Sequence, residues 1–446
     1  MLHASFVWPA TLIAGLVVTG ALRGDDEVRP PALEGESWRS QMVGLIRAAV
    51  SGNLDLRAMK LEVDAARHRV PQSRALPDPE LELAVEDIPV HSPSLTRDEF
   101  TMEVVTYRQA LPARGEREAR RVAAVAEVDG VLADQRAHVL EVASDTADSF
   151  FALAGVDHKL AILRDSRLRL EDATAAATER FRVGQGQQAD VLRASLRLTQ
   201  LDETILTLQS ERRALVARLN AVLGRSSTTP IDLVAPLTED LDQQIPVPSI
   251  EELERLAEER SPDVRAAEAA VAAATAELRM VESERRPGWM LSSYYGRREE
   301  FDDFFGVSAA VSLPWARRSR LAEKQAEKEA AREAAEVALL AVRARLRGGI
   351  GEAYAELERM RQQLRLYRNV VLPQAEVHLG AAREAYAVGR VDFLTFVSAT
   401  TEIDEYQQAA ADRAAGIGRA VAALQRASGV PLLPGTPEQG DDDVAH

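Results

Sequence analysis

The run Val388-Gly389-Arg390-Val391-Asp392-Phe393 interrupts a long helical pattern that reaches Tyr386 and resumes near Phe393. An apolar residue followed by glycine is a common way for a helix to end in a left-handed cap, so the run predicts a hairpin tip. The earlier run Val183-Gly184-Gln185-Gly186-Gln187-Gln188-Ala189-Asp190 predicts a second tip of the same kind. Further out, Ala110-Leu111-Pro112 answers Ser312-Leu313-Pro314, and Asn53-Leu54-Asp55 answers Ser261-Pro262-Asp263. The chain therefore reads as a duplication, and any fold for it must house two equivalent halves.

Long helices dominate both halves. Arg114 to Arg182 and Ala316 to Tyr386 each span about seventy residues, about 100 Å of unbroken helix. Gln187 to Leu223 and Phe393 to Gln425 then return part of the way. Aromatics make up only 5% of the 446 residues, lean for a globular enzyme of this length. In the second long helix Ala326, Ala330, Ala334, Val337, Ala341, Ala344, Gly348, Gly351 and Ala355 recur every three or four residues, a seam that lets helices approach closely. Pro373 is expected to kink or end that helix. Shorter helices are expected from Ser40 to Val70, stopping at Pro71, and from an N-cap at Ser249 to Arg286.

The remaining regular pattern has period two. Residues 80–88 and 100–110 in the first half, and 289–297 and 304–313 in the second, alternate apolar with polar or small side chains. Each is about 9 to 11 residues, the length of a tilted transmembrane strand. Aromatics such as Phe100, Tyr107, Trp289, Tyr295 and Phe305 collect there, as in the girdles of a membrane barrel. Glu82 and Glu86 share the face opposite Leu81, Leu83 and Val85, which places both in the lumen. Four strands cannot close, because a barrel needs about eight. An open edge in lipid would leave backbone groups unpaired, so several chains must share one barrel.

Residues 1–21 read as a secretory signal, although its first residues carry no Lys or Arg. The organisation that follows is a linker over 22–39, a first repeat over 40–224, an inter-repeat linker over 225–248, a second repeat over 249–430 and a disordered acidic tail over 431–446. The net charge of −16 argues against a nucleic-acid partner.

Chemistry has little purchase here. Gly184-Gln185-Gly186 matches part of a dinucleotide fingerprint, with Asp202 and Glu203 near the acidic position, but it closes a helical pattern and follows no strand. There is no cysteine, no His pair at metal-ligand spacing, no nucleophile elbow and no phosphate loop. The expectation is a non-enzyme without a cofactor or resident metal.

The order of these features from Gln41 to Pro431, with the stretch Val371-Leu372-Pro373-Gln374-Ala375-Glu376 before the second tip, resembles the TolC-like outer-membrane efflux proteins. That resemblance implies a mainly α fold with a small β part: a trimeric α-barrel of duplicated helix hairpins, continued by a transmembrane β-barrel to which each chain gives four strands. It implies a homotrimer in outer-membrane lipid that extends into the periplasm. There it meets a periplasmic adaptor protein and an inner-membrane transporter, and conducts substrate, metal cations or small toxic compounds, outward without catalysis. Gly184, Gly389, Arg390 and Val391 would touch the adaptor. The family's entrance aspartates fall on Thr395 and Ser398 here, which leaves Asp190 and Asp392 as the candidates for an acidic constriction. Asp78-Pro79-Glu80-Leu81 and Leu111-Pro112 look similar to the heavy-metal efflux branch. A duct for type I protein secretion and a soluble coiled-coil scaffold are the alternatives.

Overall fold

A computed structural model of the chain describes residues 37–91, 99–233, 244–312 and 318–437. The signal at 1–21, the Leu313-Pro314 ending and residues 438–446 of the tail lie outside the described residues. The start of the tail is ordered, contrary to expectation, because Leu433 is buried in the core and the Thr436 hydroxyl donates to Gln425 Oε1 at 3.1 Å.

Both halves follow one plan. In the first, α1 (Trp38–Gly52) and α2 (Leu54–Ser73) lead to β1 (Glu80–Glu86) and β2 (Met102–Leu111), followed by α3 (Glu116–Arg182) and α4 (Gln188–Val222). In the second, α5 (Ile250–Arg260) and α6 (Pro262–Ser283) lead to β3 (Trp289–Arg297) and β4 (Phe304–Val311). There α7 (Arg318–Leu366), a π turn (Tyr367–Val371) and α8 (Leu372–Ala387) form the long arm, and α9 (Phe393–Ser428) returns.

The short helices depart from expectation in the same way in both halves. Each expected single helix is two, broken at Asn53 and at Ser261. Asn53 Oδ1 accepts the Leu56 amide at 3.0 Å and so starts a new helix. At the equivalent place Pro262 occupies the first turn of α6, where its missing N–H costs nothing. Pro71 does not stop α2, which runs two residues beyond it. Ser249 caps α5 as expected, accepting the Glu252 amide at 3.3 Å. Pro373 does not end the long arm, which continues through it as helix. The Leu372 amide donates to the Tyr367 carbonyl in the wider π pattern, and the proline then sits in the first turn of α8, where no amide is needed.

All four strands form one antiparallel sheet in the order β1-β2-β3-β4, so the hairpins of the two halves are joined by the β2–β3 pairing. The largest core cluster gathers Trp38, Met42 and Ile46 of α1 with Phe150 and Phe151 of α3, Ile350 of α7 and Val421 of α9. Gly418 lets α9 approach α3 there, since a Cβ at that position would fall 2.4 Å from the Phe151 ring. The expected seam of small residues does not take part. Ala326, Ala330, Ala334, Val337, Ala341, Ala344, Gly348 and Ala355 are exposed, with Gly351 half-buried. Instead α7 packs through Leu321, Leu346, Ile350, Leu357 and Leu364.

Gly418→Ala is expected to force the α3–α9 crossing apart and cost about 1–3 kcal/mol, read as a lower midpoint of thermal unfolding followed by circular dichroism in detergent.

Candidate functional site

The residues singled out in the sequence lie at the hairpin tips and in the sheet. At the first tip the Gly184 amide donates to the Phe181 carbonyl at 3.0 Å, and the Gln185 amide to that of Arg180 at 2.8 Å. At the second, Gly389 donates to Tyr386 at 3.0 Å and Arg390 to Ala385 at 2.8 Å. Gly184 and Gly389 have φ of 74° and 73°, the left-handed conformation that this cap demands and that side chains resist. Gly184, Gly389 and Arg390 are exposed and Val391 is half-buried. Around them Val183, Leu192, Val388 and Leu394 are also exposed, so both tips present apolar side chains to their surroundings.

The two candidate aspartates have different surroundings. Asp392 is the N-cap of α9: its Oδ1 accepts the Thr395 amide at 2.9 Å and the Thr395 hydroxyl at 2.5 Å. Those hydrogen bonds hold its pKa below the usual carboxylate range, and the charge of Arg193 adds to the effect. Asp190 lies in the first turn of α4, 4.0 Å from Arg193. Arg193 therefore acts on both carboxylates, and Thr395, at one of the family's aspartate positions, serves the Asp392 cap.

One link between the tips had no counterpart in the sequence reading. Arg180 of α3 donates to the Tyr386 carbonyl at 3.0 Å and lies over its ring at 4.9 Å. Tyr386 in turn stacks on Phe396 and meets the edge of Phe393. The position of Arg180 at the end of α3 is a signal of sorts, since a cation there suits a helix C-terminus. Its partner lies more than two hundred residues away in the chain. Asp202, weighed above as part of a cofactor fingerprint, forms an ion pair with Arg167 at 2.7 Å instead.

The sheet has two unlike faces. The register aligns Leu81 with Tyr107, Leu83 with Val105, Val105 with Tyr295 and Tyr295 with Phe305, so these side chains share one face with Leu291, Val307 and Val311. Leu83 is 74% exposed and Phe305 72% exposed, too much apolar surface to leave in water. Glu103 also falls on this face, at the end of β2, where Arg297 is 3.6 Å away. The opposite face carries Glu80, Glu82, Glu86, Thr106, Arg108 and the hydrogen-bonded pair Ser292 and Ser308, at 2.7 Å. Glu82 forms an ion pair with Arg108 there, while Glu86 stands opposite Met102.

Among the described residues, no helix is long and apolar enough to cross a membrane, and no group of three or more His, Asp or Glu side chains is arranged to hold a metal ion.

A two-faced sheet joined to duplicated helical hairpins is the build of a membrane duct rather than of an enzyme. The outer membrane efflux protein model matches residues 45–225 and 253–430, and the chain belongs to that family: it is an outer-membrane efflux channel. Among similar proteins is the cobalt-zinc-cadmium resistance protein CzcC of Cupriavidus metallidurans, 26% identical over 362 residues that cover 79% of this chain and 81% of that protein. The outer membrane protein VceC of Vibrio cholerae shares the fold with a TM-score of 0.72 at 17% identity, covering 88% of this chain and 97% of its own. The open-state MtrE outer membrane channel of Neisseria gonorrhoeae does so with a TM-score of 0.70 at 18% identity, covering 89% and 91%.

The cap at Asp392 gives a pH dependence of definite sign. Because its folded pKa is lowered, the cap contributes stability above the unfolded carboxyl pKa and loses it as pH falls through the folded value. At neutral pH, Asp392→Ala is expected to speed hydrogen exchange of the first α9 amides severalfold. Below the lowered pKa, variant and wild type should exchange alike.

Proposed function

We propose that three copies of this chain form one exit duct that takes metal cations from an inner-membrane transporter, through a periplasmic adaptor, to the exterior. The open sheet carries this reading. β1 and β4 each have one edge with no strand partner among the described residues, beside an apolar face that suits lipid. Pairing β4 of one copy with β1 of the next leaves no open edge once the ring closes, and three copies supply twelve strands, above the minimum for a barrel. The small-residue side of α7, exposed among the described residues, supports the same assembly lower down, because a neighbouring copy can pack against it closely.

In this duct Glu82 and Glu86 line the bore of the barrel. The ion pair with Arg108 offsets the charge of Glu82, so Glu80 and Glu86 set the negative field there. The tips, through Gly184, Gly389, Arg390 and Val391, receive the adaptor, with exposed Val183, Val388 and Leu394 supplying apolar contact. Asp190 and Asp392, bridged by the field of Arg193, form the acidic constriction. The heavy-metal substrate class rests on the likeness to CzcC. The acidic bore is compatible with cations.

Three measurements test this. A strain lacking the gene is expected to become sensitive to cobalt, zinc or cadmium and to recover with the wild-type gene; unchanged tolerance of all three would remove the metal reading. Leu83→Arg, which puts a cation on the lipid face at a cost of about 2–4 kcal/mol near the bilayer midplane, is expected to abolish outer-membrane trimers. Arg108→Ala, on the lumen face, should leave assembly intact and raise the cation selectivity of single-channel currents.

A further inference from the structure

The corner where the sheet meets the helices gathers arginines. Arg74 caps the end of α2, Arg114 lies between β2 and α3, Arg117 is in the first turn of α3, and Arg286 lies between α6 and β3. All four are exposed. Arg117 reaches back to the Arg74 carbonyl with Nη2 and, at 2.8 Å, with Nε, and Arg286 Nη1 donates to the Arg114 carbonyl at 3.0 Å. These bonds lace three strand–helix connections together. Arg74, Arg114 and Arg117 also line one cleft of about 380 Å³, with Pro112 and Gly115.

Bonds to carbonyls leave the charges unanswered. Among the described residues none of the four arginines has a carboxylate within ion-pair distance, and three carboxylates on neighbouring turns are already taken: Glu116 by Arg120, Glu118 by Arg121 and Glu284 by Lys324. A guanidinium has five N–H donors. Arg117 uses two and Arg286 one, so donors as well as charge remain for a ligand. Holding the fold together accounts for Arg117 and Arg286 but not for Arg74 and Arg114, whose side chains make no hydrogen bond among the described residues.

The level and the side of the cluster say what that ligand is. Trp289 opens β3 on the apolar face of the sheet, with Leu291 beyond it, and both are exposed. A tryptophan at the end of a lipid-facing strand sits at the headgroups, and Arg286 and Arg114 lie just outside that level. The helices of such channels extend into the periplasm, so the headgroups are those of the inner leaflet. Arg117 and Arg121 are on the side of α3 that carries Phe150 about eight turns further on, where α1 packs through Met42 and Ile46. A second layer of helix lies around a duct and not in its bore, so this side faces outward.

We propose that Arg74, Arg114, Arg117 and Arg286 form a headgroup site for an anionic phospholipid of the inner leaflet. The phosphodiester takes N–H groups that the carbonyls leave, a planar pairing that suits arginine, and the acyl chains run past Trp289 and Leu291. A zwitterionic headgroup brings a cation that the cluster repels. The site rests on the duct reading, because only a sheet in lipid carries these arginines to a headgroup.

The test uses the full-length trimer in liposomes of phosphatidylcholine and phosphatidylglycerol, with bromine on the acyl chains of one lipid at a time to quench tryptophan fluorescence. Brominated phosphatidylglycerol is expected to quench at a lower membrane fraction than brominated phosphatidylcholine, and Trp289→Phe should remove that difference. Arg74→Gln and Arg114→Gln should each lower the preference about fivefold, whereas Arg114→Lys should keep most of it and Arg390→Gln, at the tip, all of it. Equal quenching by the two lipids in an assembled trimer overturns the site and leaves the duct standing. A preference that survives both glutamine substitutions together overturns it as well, and so does one that inorganic phosphate in the buffer abolishes, since the cleft would then take free phosphate. Loss of the trimer in Arg74→Gln or Arg114→Gln would assign the arginines to a carboxylate of a neighbouring copy instead. A chain that does not enter the liposomes at all would remove the duct reading and the site with it.

Discussion

A peptide group that leaves water has to find a hydrogen-bond partner, and one side each of β1 and β4 has no strand beside it among the described residues. In lipid every such group costs several kcal/mol, so this single requirement governs the rest of the architecture. The apolar face of the sheet calls for a bilayer, the bilayer forbids open edges, and the open edges call for further copies. Helices that stand close to a neighbour need small side chains where they touch it, and α7 carries such a stripe on its free side. Membrane insertion and assembly are therefore two aspects of one demand, and neither can be satisfied by a lone polypeptide.

Away from the membrane a different economy operates. Many ion pairs along the helices join side chains a turn apart, and the exposed ones among them contribute little. What fixes the helices relative to one another is close packing around Phe150, Phe151 and Gly418, and capping at the hairpin tips. Arg180 adds a tie between the tips, because it satisfies a carbonyl at the end of α8 and covers the Tyr386 ring. Beside these ties a groove runs between α3 and the pair α8 and α9, with Arg180 and Tyr386 in its lining.

Much of this was legible in the residue order. The tip glycines could be read because only a residue without a side chain adopts their backbone comfortably, and β3 could be read to its ends because alternation in a two-faced strand leaves little ambiguity. The faces of Glu82 and Glu86 followed from the same alternation. What escaped depends on contacts that one-dimensional patterns do not carry. The breaks at Asn53 and Ser261 fall inside continuous helical periodicity, where a capping residue looks like any other polar position. The π turn before Pro373 is a local answer to a missing amide, and several answers would have served. Periodicity marked the small-residue stripe of α7 but could not say which side of the helix its own chain would cover. Arg180 takes its meaning from a partner in the opposite half.

The pairing of β2 with β3 welds the two halves at one end, and Arg180 ties them at the other. An insertion of a single residue in α3 would rotate and raise everything beyond it, carrying Arg180 out of level with Tyr386 while the sheet stayed fixed. Drift in the two copies is thereby restrained in length as well as in composition: either arm can change its exposed residues, but growing or shrinking one obliges the other to follow.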